Sequence, residues 1–341
     1  MARLRLTFAC GDYDRTRALE EGTIRPDGIE LTYLRLPVEE TFFRMMRHRE
    51  FEVAEMSLSS YVMSLAADPA PFVALPVYPS RMFRHGAIYC HAGAGINGPE
   101  DLRGKVVGTP EYQLTAGVWV RGILADRHGV PVDSVRYVTG GQETPGRIEK
   151  AAVDLGGKAD VSAIPAGQTL SAMLAAGEID ALYTPRIPSP FVAGDPRVRR
   201  VFPDTVAAER DYYAATGIFP IMHVVVVRRD VYDRYPWVAQ SLYKALLLAK
   251  REAFANLYDS SALRCMLPWL NQDLEAAKAL MGEDYWSYGL EANAEVLRRS
   301  CATTTRRGCH RDGGSRRSCS PRRRWSPLSS RASSGPRRAG S

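Results

Sequence analysis

With 341 residues, 45% of them hydrophobic and 24% charged, the chain is long enough for two globular domains and a large core. The formal charge of +7 is misleading, because eleven Arg and one Asp lie from Cys301 onward and residues 1–300 carry a net −3, so the charge is no argument for a nucleic-acid partner and none is expected for the body. No run approaches the roughly 18 apolar residues of a membrane span, and "MARLRLTFACGDYD" has neither the apolar core nor the cleavage site of a secretory leader, so a cytoplasmic protein with no membrane partner is expected.

In chain order, "ARLRLTFAC" alternates as a strand and leads through a polar loop to a helix starting at Asp14 or Thr16. "GIELTYLRL" alternates again, and Phe42, Met45, Met46 and Phe51 recur at helical spacing. "FEVAEMSLSSYVMSLAAD" reads as a short buried strand opening a serine-rich helix, and "PFVALPVYP" and "RHGAIYC" are strands on either side of Arg81, Arg84 and His85. The first ninety residues are therefore a β-α-β-α-β series, the pattern of a sheet covered by helices. A second unit follows: "DLRGKVVGTPEYQLTAGVWVRGIL" is strand, turn and helix, "DSVRYVTGG" is a strand, and "LSAMLAAGEIDALYTPR" is helix, glycine turn and strand. "PIMHVVVV" is a strong strand before a long helix with Val238, Leu242, Ala245, Leu246 and Ala249 on its apolar face.

From Cys301 the composition changes abruptly. The segment 301–341 lacks Ile, Val, Phe, Tyr, Met, Glu, Lys, Asn and Gln, and it is expected to be disordered. It reads either as an arginine-rich arm for nucleic acid or as an out-of-frame extension. The chain's 39 Arg against 6 Lys indicates GC-rich coding, and the frameshift is favoured. The cysteines of the body, Cys10, Cys90 and Cys265, are far apart without metal-ligand spacing, as suits reduced thiols. "GGQETPG" is a loop and not a dinucleotide fingerprint, and no Walker A, H-E-x-x-H or G-x-S-x-G string occurs.

The order "DLRGKVVGTPEY", "GEIDALYTP" and a return strand before "YPWVAQSLYKA" resembles the type II periplasmic-binding-protein fold. Within it, "GDYDRTRAL", "FFRMMRHREFEVAEMSLSSY", "PVYPSRMFRH", "GTPEYQLTAGVWVRGIL" and "GIFPIMHVVVV" look like the 4,5-dihydroxyphthalate decarboxylase family, from about residue 4 to residue 300. The resemblance implies an α/β protein of two lobes with a ligand cleft between them, joined by two crossover strands. Residues 1–88 and 215–300 would form lobe one and residues 89–214 lobe two. It also implies a carboxy-lyase that removes CO2 non-oxidatively from 4,5-dihydroxyphthalate or a related aromatic dicarboxylate to give a catechol acid such as protocatechuate. The alternative on the same fold is a non-catalytic solute-binding protein of the ABC-transporter type for a small carboxylate. The absent leader favours the enzyme, and the oligomeric state stays open.

If both crossings line the cleft floor, Arg81, Arg84 and His85 lie beside His223. Paired arginines suit two adjacent carboxylates, because each guanidinium fork matches one carboxylate in parallel hydrogen bonds. The plainer reading is a solvated turn. Ser57, Ser59 and Ser60 open a helix at a strand's C-terminal end and would either cap it or touch an anion. Glu55 before them is an arginine's partner or a ligand-sensing carboxylate. In lobe two, Thr109, Glu111, Tyr112, Gln113 and Thr115 occupy the corresponding turn, with Tyr183, Thr184 and Arg186 after another strand and Asp12, Tyr13 and Arg15 after the first. His223 interrupts an apolar strand, as core packing or as a proton donor. Loss of CO2 from a dihydroxylated benzoate requires protonation of the ring carbon bearing the leaving group, for which no metal or organic cofactor is demanded. His223 or His85 would be the acid, with Glu111 in reserve if burial raises its pKa, and Arg81 with Arg84 the clamp.

Overall fold

The computed structural model describes residues 3–147 and 159–304. The first unit contains β1 (Leu4–Cys10), α1 (Asp14–Glu20), β2 (Ile29–Arg35), α2 (Val38–His48), β3 (Val53–Ser57), α3 (Leu58–Ser64) and β4 (Phe72–Ala74). The second contains β5 (Ile88–His91), β6 (Val106–Thr109), α4 (Thr115–Arg127), β7 (Arg136–Thr139), β8 (Asp160–Ala163), α5 (Leu170–Ala176), β9 (Ala181–Tyr183), α6 (Ser189–Val192), β10 (Val198–Arg200) and α7 (Thr205–Thr216). The chain then returns through β11 (His223–Arg228), α8 (Arg229–Arg234), α9 (Trp237–Leu257), α10 (Leu270–Met281) and α11 (Ala294–Thr304).

Two mixed sheets result, ordered β2-β1-β3-β11-β4 and β10-β5-β9-β6-β7-β8. In the first, β1 runs parallel to β2 and β3, and the returning β11 lies antiparallel between β3 and β4 with His223 opposite Ser57. Every residue of β3 is buried, as is the Val224–Val227 run of β11, because helices cover both faces of a central strand. The α9 stripe Val238, Leu242, Ala245, Leu246 and Ala249 is buried as its spacing predicts, and the helix packs on α1. Each of those leucines contributes about 1.5–3 kcal/mol by leaving water. α2 begins with Glu39 and Glu40, ends with Arg47 and His48, and stops at Arg49 in the left-handed region, so its charges follow the helix dipole.

The lobes are joined by two crossings that hydrogen-bond as an antiparallel pair. Arg81 bridges Ile221, Met82 N–H donates to Pro220 O at 3.1 Å, and Met222 N–H donates to Ser80 O at 2.8 Å. Trp119 of α4 reaches back to them, its Nε1–H donating to Ile221 O at 2.9 Å. α11 packs on both α3 and α4, and its Leu297 belongs to the lobe-one core, which also takes in Trp119 and Ile123. The helix runs through Cys301–Thr304, with Thr303 and Thr304 buried, which corrects the expectation of disorder for those four residues; residues 305–341 lie outside the described residues. Among the described residues no helix is long and apolar enough to cross a membrane, and no group of three His, Cys, Asp or Glu could hold a metal.

Candidate active site

The strand ends converge on a buried carboxylate. Glu55, on β3 and fully out of solvent, accepts from Gly11 N–H at 2.9 Å on one oxygen and from Tyr13 O–H at 2.7 Å on the other. That second oxygen also takes His223 Nδ1 at 2.6 Å. The ring of His223 keeps 17% of its side chain exposed, meets Phe42 of α2 edge-to-face at 4.8 Å, and makes no hydrogen bond through Nε2 among the described residues. Burial alone would push the Glu55 carboxyl up; the charge and hydrogen bond of His223, with those of Tyr13 and Gly11, outweigh it and hold the group below the ordinary carboxylate range. Burial and then the Glu55 charge push the Tyr13 phenol up, so it stays protonated and donates. An anion fixed by these donors, with an imidazole directed by one nitrogen and free at the other, is an arrangement suited to proton transfer.

The serine row does not wait for a ligand. Ser57 Oγ and Ser59 Oγ lie 2.7 and 3.0 Å from Thr115 Oγ1, Ser59 O–H donates to Gln113 O at 2.6 Å, and Ser60 O–H donates to Gln113 Oε1 at 3.2 Å. These bonds stitch the β3–α3 turn of lobe one to the start of α4 in lobe two. Glu111 is likewise engaged: Arg147 donates to its Oε1 from Nε at 2.9 Å and Nη2 at 2.6 Å, and Gln113 Nε2–H donates to Oε2 at 2.9 Å. Glu111, expected as a reserve acid, meets Arg147 in an ion pair.

The arginine cluster is also corrected. Arg81 Nη1 donates to Phe219 O at 3.0 Å and Nη2 to Ser287 O at 2.7 Å and to Asn293 Oδ1, so it pins the crossing to the C-terminal segment 286–293. Among the described residues Arg84 donates only to thioethers, Nε to Met222 Sδ at 3.0 Å and Nη1 to Met82 Sδ at 3.6 Å. Burial lowers both guanidinium pKa values to about 10. His85 is packed between the rings of Phe202 and Tyr212, and burial, then His128, lowers it to about 4, which leaves it neutral and outside the group around His223.

Of the remaining expected residues, Thr109 O–H donates to Glu111 O at 3.3 Å within its own turn. Tyr112 and Tyr183 are buried in the lobe-two core, Tyr112 beneath the Arg121 guanidinium at 3.9 Å and Tyr183 beside Tyr137. Asp12 is an exposed partner of Arg35, at 3.1 Å, and lines a cavity of about 320 Å3 with Gly11, Tyr13 and Pro37. Thr184 O–H donates to Gln142 Oε1. Arg15 donates to Pro79 O at 2.5 Å and lies over the Tyr13 ring at 4.2 Å. Arg186 crosses the cleft mouth to Glu39 of α2 at 2.8 Å.

That ion pair edges a second cavity of about 420 Å3, lined by Glu39, Leu114, the 141–147 loop and Arg186. The loop is tight: a Cβ on Gly141 would stand 1.7 Å from Thr144 O. Sequence reasoning set this loop aside and missed Arg147 and Phe42. Its position directly after β7, at the carboxyl end of a strand in an open sheet, was the available signal.

No protein-family model matches the chain. It is 41% identical over 329 residues to the 4,5-dihydroxyphthalate decarboxylase of Comamonas testosteroni, covering 96% of this chain and 98% of that one. It is 44% identical over 215 residues to the 4,5-dihydroxyphthalate decarboxylase of Pseudomonas putida, covering 63% of this chain and 83% of that one. The Comamonas match extends into the arginine-rich segment, further than residue 300 where the sequence motifs end. Among solved structures, a protein of Archaeoglobus fulgidus is similar at TM-score 0.50 and 15% identity, covering 88% of this chain and 96% of that one. A Candida albicans protein described as having the generic periplasmic-binding-protein fold is similar at TM-score 0.50 and 11% identity, covering 91% and 92%. These two likenesses establish the two-lobe fold.

Proposed function

The chain belongs to the 4,5-dihydroxyphthalate decarboxylase family, and from that premise we propose that it removes one carboxylate from 4,5-dihydroxyphthalate or a closely related aromatic acid, giving a catechol acid such as protocatechuate. The observation that supports the assignment of roles is the 2.6 Å contact between Glu55 and His223 Nδ1, which commits Nδ1–H to the anion and leaves Nε2 as the atom through which the imidazolium gives up its second proton. His223 delivers that proton to the ring carbon that carries the departing carboxylate, aided by electron density from the para hydroxyl. The carbon–carbon bond then breaks, its electron pair returns to the ring, and CO2 leaves. His223 is reprotonated from solvent.

Glu55 fixes the tautomer and stabilises the imidazolium; Tyr13 and Gly11 keep Glu55 anionic. The fold is shared with binding proteins, and a purely binding role would show as ligand-raised melting temperature without product. Chromatography of folded protein with 4,5-dihydroxyphthalate tests the reading: protocatechuate formed in proportion to enzyme is expected, and a kcat lowered about 10²–10⁴-fold in His223→Gln. Product formation at the wild-type rate by His223→Gln would overturn the assigned role.

A further inference from the structure

The Arg147 fork is only half used. Glu111 takes both of its contacts through one oxygen on the Nε–Nη2 edge, and Nη1 makes no hydrogen bond among the described residues. The end-on Nη1–Nη2 edge is thus open, on a side chain that is 29% exposed and lines the 420 Å3 cavity. Its other side is firmly based. Glu111 is buried and tied through Gln113 to Ser60 of the opposite lobe, so the guanidinium plane cannot swing. Arg186 is the contrary case. It is 69% exposed and its pairing with Glu39 is a surface contact, which is worth little and exchanges readily. Glu143, the other acid lining the cavity, keeps its charge and opposes an anion, but its oxygens are turned to the Ser171 and Ser189 hydroxyls, which each donate to it at 2.6 Å.

From this geometry we infer that Arg147 is the substrate's carboxylate receptor, its open Nη1–Nη2 edge taking the carboxylate that stays on the ring while Arg186 leaves Glu39 for the same anion. The inference rests on the decarboxylase reading for the identity of the anion. The retained carboxylate is the one assigned, because a cation on the departing group would stabilise the charge that must be lost as CO2 forms. The placement agrees with the histidine. Glu39, which meets Arg186, and Phe42, which meets His223, are three residues apart on α2 and share a face, so the two ends of the cleft are one helical turn apart.

The test uses phthalate, which lacks the ring hydroxyls, and benzoate as calorimetric probes of the full chain, beside turnover of 4,5-dihydroxyphthalate. Arg147→Met is expected to weaken phthalate binding about tenfold or more and to erase the preference for phthalate over benzoate. Arg147→Lys keeps the ion pair with Glu111 but not the fork, and should keep the melting temperature while losing most of that preference. Arg186→Ala should cost a few-fold. Unchanged phthalate affinity in either Arg147 variant, or no phthalate binding by the wild type, overturns the inference. Loss of phthalate binding in Arg147→Lys from a wild type that makes no protocatechuate would uphold the anion site and sink the decarboxylase reading; protocatechuate made with phthalate affinity intact in the variants would do the reverse.

Discussion

Replacing Glu55 by Gln isolates the electrostatic part of the candidate site. The side chain keeps its size, so packing around β3 is preserved, but the anion beside His223 disappears. Two unit charges about 4 Å apart at an effective dielectric constant of about 20 attract by roughly 4 kcal/mol, up to about three powers of ten in the population of the proton-loaded imidazolium from which the reaction starts. A fall in kcat of about 10²–10³-fold is expected, with KM little changed, since Glu55 is fully buried and meets His223 from behind. The amide also brings donors to a place already served by Tyr13 O–H and Gly11 N–H, so a loss of roughly 1–3 kcal/mol in stability accompanies it. Initial rates of protocatechuate formation, normalised to the folded fraction from urea titrations, give the numbers. The double variant with His223→Gln should be no slower than His223→Gln alone, because the two groups act as one unit. Full kcat in Glu55→Gln, or additive losses in the double variant, would refute the pairing.

His85 supplies a pH prediction. Its folded pKa, about 4, lies below the unfolded value near 6.5, so the stability its neutral form contributes is complete above about pH 6.5 and is lost as pH falls toward 4, up to about 3 kcal/mol. Urea midpoints measured across that window should fall less in His85→Leu than in the wild type. Arg81→Met removes donors to Phe219 O, Ser287 O and Asn293 Oδ1 and should destabilise by about 3 kcal/mol or more, while kcat per folded molecule stays within a few-fold. Arg84→Met deletes a buried charge that has no carboxylate at hydrogen-bond distance among the described residues, so stability should hold or rise, and a marked loss by denaturant titration would count against that account. Thr115→Val takes away the hydroxyl shared by Ser57 and Ser59 and should cost about 1–3 kcal/mol and speed amide exchange over residues 57–60.

The alternating and helical periods were enough to place β1, β2, β3, β11 and the α9 stripe, because those patterns are set by local burial. His223 stood out as a polar residue in an apolar strand, and Glu55 as a charge in another; both lie at the site. What sequence could not supply was facing. Arg81 and Arg84 sit on the crossing as expected, yet their side chains are spoken for by partners from other parts of the chain: the 286–293 segment for Arg81, Met222 for Arg84. Tyr112 and Tyr183 follow strands but turn into the lobe-two core, which periodicity at a strand end does not decide. Arg147 was hidden because its value depends on Glu111, thirty-six positions earlier.

α11 has a bearing on how the molecule breathes. Because it lies across the seam, on α3 and α4 at once, with Arg299 joined to Asp126 at 3.1 Å, it acts as a strut on one flank of the two lobes. On the α2 side the exposed Arg186–Glu39 pair joins the lobes. A pair of lobes braced along one flank would part along the other, so substrate would enter between α2 and the 141–147 loop if the lobes open at all.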